Sequence, residues 1–132
     1  MSIRDSLLPE LQRVFSSMKM KTGFAPDPIA IFSPIHPDIG EVAIWDDGDE
    51  ATIAIGEITH GHFNPYDQSL SEAEREKWVV EEVTDFLSLL FQDKVMLWSA
   101  LDKGRGGWEV NRDEPLQLRE NARNYVWSGP IK

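Results

Sequence analysis

Apolar side chains first recur at helical spacing: Leu7, Leu11, Val14, Phe15 and Met18 fall at i, i+4, i+7, i+8 and i+11. That spacing gathers them on one face and predicts a helix over residues 6–22. Asp5 or Ser6 is placed to cap its start, Pro9 falls in its first turn, and Gly23 can close its end. From Phe24 to Gly40 the pattern dissolves around Pro26, Pro28, Pro34 and Pro37. Proline cannot donate to a sheet ladder, so an extended connection is expected, with one short edge strand at residues 29–32. Val42 and Ile44 then alternate with Ala43 and Trp45, which is the period of a half-buried strand. Asp46-Asp47-Gly48-Asp49 reads as a hairpin turn, and residues 50–58 as the return strand with Ala51, Ile53 and Ile55 on one face. Gly56 shifts the apolar phase and predicts a bulge or twist there.

A second helix is marked by Ser71 with Glu74 three residues on, a capping box. Val79, Val83, Phe86, Leu87 and Leu90 form its buried stripe, and it should run to about Phe91. Strands are expected at residues 95–101, 108–110 and 124–127, with a loop over 102–107 and an irregular stretch over 111–123. The order is α-β-β-β-α-β-β-β. Hairpin connections imply antiparallel pairing, and two amphipathic helices can cover one sheet face. The expected fold is therefore α+β: a two-layer domain with an antiparallel sheet of about five or six strands. A chain of 132 residues fits a single domain, residues 1–132.

Charge changes this picture more than composition does. The net charge is −10, and its distribution is uneven. Residues 24–74 hold eleven Asp and Glu and no Lys or Arg, whereas the flanking segments are basic or nearly balanced. Such a field repels nucleic acid and anionic lipid and attracts basic partners. No cysteine is present, which removes disulfides, thiolate metal sites and cysteine nucleophiles and fits a reducing compartment. The first residues carry no long apolar run of the kind a signal peptide or membrane span needs, so a cytoplasmic protein is expected.

Candidate chemistry is concentrated between Glu41 and Phe63. His60 and His62 lie two apart, so on a strand both imidazoles share a face. With His36, or with Glu57 or the turn aspartates, they would suit zinc or another divalent metal holding an open position. The competing reading makes them polar residues at a strand end. The acidic turn is too short for an EF-hand loop, which needs twelve residues. No serine occupies a G-x-S-x-G elbow, and Gly104-Arg105-Gly106-Gly107 joins strand to strand, unlike a phosphate-binding loop. Five tryptophans are present. Trp78 and Trp98 read as core, and Trp45, beside the acidic turn, as an interface candidate.

In size, acidity and lack of motifs the chain resembles small bacterial binding proteins and immunity-type inhibitors, a resemblance of composition that covers no motif. The function expected is non-enzymatic: a small acidic interaction protein, monomer or small homo-oligomer and without a cofactor. It would bind a basic protein, such as a nuclease or secreted toxin, through Trp45, Asp46, Asp47, Asp49 and Glu50. The alternative is a metal-dependent hydrolase or small-molecule binder using His60, His62 and His36.

Overall fold

The computed structural model describes residues 2–101, 104–113, 115 and 117–131. Ser2 caps the first helix, α1 (Ile3–Val14), reciprocally with Asp5, three residues earlier than the sequence suggests. Its buried face is Ile3, Leu7 and Leu11, and Pro9 lies inside the helix rather than in its first turn. The helix stops well before residue 22. Ser16 and Ser17 compete poorly as helix formers. Beyond them, Met20 and Thr22 gain a ladder as β1 (Met20–Thr22), pairing with β2 (Ala30–Phe32). Ile29–Phe32, expected at an edge, is consequently interior: β2 lies between β1 and β3 (Val42–Asp46).

The return strand is also shorter than its pattern suggests. β4 (Ala51–Ile55) ends in a tight turn, and the chain doubles back as β5 (Thr59–Phe63). Gly56 makes that turn rather than a bulge. It adopts φ +50°, and a β-carbon there would lie 3.1 Å from the Ile39 carbonyl carbon. The five strands form a sequential antiparallel meander, β1-β2-β3-β4-β5.

Helix α2 (Glu72–Phe91) follows the capping box at Ser71 and Glu74 as its sequence predicts. Hydrogen bonds from the Ser71 amide and hydroxyl hold the Glu74 carboxyl below its ordinary range. The helix ends in a Schellman motif, with Lys94 N bonded to Leu89 O and Asp93 N to Leu90 O. Asp93 takes the left-handed position at φ 62°. Its carboxylate accepts from the Ser128 amide at 3.0 Å and hydroxyl at 2.6 Å, which pins the helix end to the C-terminal strands. Those strands are β6 (Val95–Ala100), β7 (Gly106–Val110), β8 (Ala122–Val126) and β9 (Gly129–Pro130), in the order β7-β6-β8-β9.

The fold is thus α+β with two helices and antiparallel pairing throughout, as expected, but the strands divide into two sheets instead of one. Asp102 and Lys103 of the expected loop, and Glu114 and Leu116 of the irregular stretch, lie outside the described residues. Trp98 differs from its core assignment. It is half-buried on the outer face of the second sheet, with the Arg119 guanidinium 3.9 Å above its ring. Trp78 is half-buried against the core.

Two aromatic clusters join the layers. Phe15 of the α1 C-cap, Phe32 of β2 and Phe91 of α2 meet at centroid distances of 5.1–5.6 Å, and Trp127 adds to Phe91 at 5.0 Å. Phe63 of β5, Phe86 of α2 and Trp108 of β7 form the second, between the sheets. Trp108 lies directly over Gly61 of β5: a β-carbon on that residue would sit 2.7 Å from Trp108 Cζ2. Gly61→Ala should therefore destabilise the protein by about 1–3 kcal/mol through overpacking. Urea unfolding is the measurement, and a loss below about 0.5 kcal/mol would show that the ring can move aside freely.

Candidate functional site

The acidic turn is built by its first aspartate. Asp46 Oδ1 accepts from Gly48 N at 2.9 Å, and Asp47 N closes the hairpin on Glu50 O at 3.0 Å. Gly48 takes φ +93°, which a side chain would resist. The other Asp46 oxygen accepts from Arg4 N at 3.0 Å, at the second residue of α1. A carboxylate is favoured there, because the first amides of a helix lack internal partners and carry its positive end. The Arg4 side chain in turn bonds the carbonyls of Gly23 and Asp27. Asp46 thus fastens the hairpin to α1.

Strand alternation then sorts the turn's side chains by face. Val42, Ile44 and Asp46 point inward, Ala43 and Trp45 outward. Across the sheet Trp45 faces Thr52, and Thr52 faces His62. The Thr52 hydroxyl bonds Asp47 Oδ2 and lies 2.9 Å from His62 Nδ1, which is also 2.8 Å from Glu50 Oε2. Ionised Asp47 can only accept, so Thr52 donates to it and receives the proton on His62 Nδ1. That chain of partners calls for a proton on His62 Nδ1 and leaves its Nε2 outside these bonds. The next row across the outer face runs Lys21, Ile31, Ala43, Ala54, His60, one from each of the five strands. Trp45 and Ile31 are half-buried, with the small side chain of Ala43 between their positions.

The five residues expected to bind together therefore separate. Trp45, Asp47 and Glu50 share the outer face, while Asp46 and Asp49 line a cleft on the helix side with Ser2, Glu72 and Arg75. The three histidines separate too. His60 and His62 are neighbours, their rings 5.7 Å apart and nearly perpendicular. His36 accepts from Asp38 N at 3.0 Å through Nδ1, and its ring lies against Gly129 of β9. Among the described residues the group able to hold a metal is Asp47, Glu50 and His62, whose ligand atoms lie within 4.8 Å of one another. His60 instead lines a cleft of about 470 Å³ with Trp45, Glu57 and Gly106. Period-2 counting out of β3 already separates Trp45 and Asp47 from Asp46; no sequence signal pairs Glu50 with His62, because their strands meet only in the fold.

Comparison of the chain with family models, curated proteins and solved structures finds no match.

Asp46 is the acidic residue whose loss should harm the fold. Asp46→Ala removes an acceptor from a helix N-terminus and from the turn, and should cost about 1–2 kcal/mol. Exposed Asp49, changed to Ala, should stay within about 0.5 kcal/mol. Equal urea midpoints for the two variants would refute the structural role of Asp46.

Proposed function

We propose that this chain is a binding protein for a basic protein partner, and that its contact surface is the outer face of the first sheet. One observation carries the reading: Trp45 stands half-exposed beside Ala43, Ala54 and Ile31, with Asp47 and Glu50 at its edge and Lys21 at the far end of the neighbouring row. An aromatic anchor within a charged border is the arrangement that concentrates binding energy at interfaces. The acidic border adds long-range attraction. With no Lys or Arg between residues 24 and 74, the field over the hairpin draws positive surfaces in and speeds encounter. The hydrogen bonds linking Asp47, Thr52, His62 and Glu50 hold the charges in place before contact, which lowers the ordering cost of binding.

A lysine-rich peptide serves as the probe, with its glutamine counterpart as control. The lysine peptide should shift the amide resonances of Asp47, Glu50 and Thr52 and the indole resonance of Trp45. Its association rate should fall tenfold or more, roughly, from low to high salt. Trp45→Ala should weaken binding several-fold through loss of the ring. Uniform shifts over the whole surface, or a rate independent of salt, would remove this reading.

A second reading is favoured by the Asp47, Glu50 and His62 group, whose mixed nitrogen and oxygen ligands suit zinc or a similar divalent cation. Zinc would displace the proton from His62 Nδ1 or take Nε2 after a ring flip. Binding to the folded state alone raises the melting temperature by mass action. A zinc-dependent rise that His62→Ala abolishes and His36→Ala leaves intact supports it; no rise with zinc removes it.

A further inference from the structure

Glu76 is the buried charged residue among those described, with only 9% of its surface exposed. It lies on α2, where its Oε2 accepts from Ser6 Oγ of α1 at 3.2 Å. No ion pair reaches it among the described residues. Its sequence neighbours Arg75 and Lys77 each line one of the clefts that Glu76 lines, without forming an ion pair with it among the described residues. A carboxylate largely covered by protein and bonded to one hydroxyl gains from a positive group that reaches it through the clefts it lines.

The surroundings provide the path. Glu76 opens into a cleft of about 850 Å³ between α1 and α2, where Glu10, Glu72 and Glu81 stand over the apolar carbons of Ala73 and Val80. It also opens into a cleft of about 550 Å³ shared with Asp46 and Asp49 at the hairpin tip. Glu72 and Glu76 line both, so the two clefts adjoin at these residues. Six carboxylates border this groove against two cations, Arg75 and Lys77.

We infer that this groove takes a basic amphipathic segment of the partner, with a Lys or Arg side chain on Glu76 and aliphatic carbons on Ala73 and Val80. The inference rests on the binding role proposed above and extends the surface over the hairpin tip. It gives Asp49 a purpose that the outer face does not.

The test titrates the full chain with a helical Leu/Lys peptide and with its Leu/Gln counterpart. The Leu/Lys peptide should shift resonances of Ser6, Glu76 and Val80, and Glu76→Gln should weaken it by roughly tenfold or more. Glutamine keeps the acceptor for Ser6, so the helix contact survives. Ala73→Trp provides an independent block: it fills the cleft from an exposed position without altering charge. The outer-face variant Asp47→Asn with Glu50→Gln is measured in parallel. If Glu76→Gln and Ala73→Trp bind as the parent does while the outer-face variant loses affinity, the groove is refuted and the outer face stands. If none of the three loses affinity, both fall. Equal binding of the Leu/Gln peptide also overturns the groove, since the cation would then contribute nothing.

Discussion

The contact on which most of this architecture depends is the Trp108 ring against Gly61. The two sheets share no ladder, so something other than hydrogen bonding must hold them together. Trp108 does so by lying over β5, near-parallel to Phe63 at 6.1 Å and 4.5 Å from Phe86. The ring reaches the strand only because position 61 has no side chain. Gly106 shows the same constraint from the other side, since a β-carbon there would run into the carbonyl of Ile58. The sequence His60-Gly61-His62 follows from this packing. Its middle residue faces inward and must be small, so its neighbours face outward and can be polar. Packing thus accounts for the glycine between the two histidines and for their shared outer face.

The hairpin illustrates how one carboxylate can serve structure while its neighbour serves the surface. Asp46 and Asp47 are adjacent and chemically identical. Alternation turns the first towards the amides of α1 and the second towards Thr52 and His62. In its partly buried place Asp46 replaces water at a helix N-terminus, an exchange worth about 0.3–2 kcal/mol. Asp47 is exposed and its charge is partly screened, so its effect lies in the field rather than in folding. Counting the turn as one acidic patch conceals that division.

Legibility followed the range of the forces involved. Helix α2 could be read to its first residue because Ser71 and Glu74 satisfy each other within one turn. The end of α1 could not. Residues 16–22 continue a helical pattern, and only the ladder to β2 makes Met20–Thr22 a strand. The reversal at Gly56 was readable as a break but not as a turn, because the Ile39 backbone that crowds it is distant in sequence. For the candidate site, Trp45 and the acidic turn were visible from charge and spacing. Glu50 with His62, and Glu76 with Ser6, come from separate elements and carry no local mark.

Glu76 and the outer-face cluster differ in a way that bears on binding. On the outer face, Asp47, Thr52, His62 and Glu50 satisfy one another and remain hydrated, so nothing in the folded chain requires a partner there. Any partner must compete with those bonds, which favours fast, salt-sensitive association over tight holding. Glu76 is largely covered by protein and bonded to Ser6, and it pairs with no cation among the described residues. A cation seated on it is shielded from water by the walls of the groove, which acts on dissociation more than on encounter. On the binding role proposed above, the two sides of the hairpin would act at different stages, the exposed carboxylates in attraction and the buried one in retention.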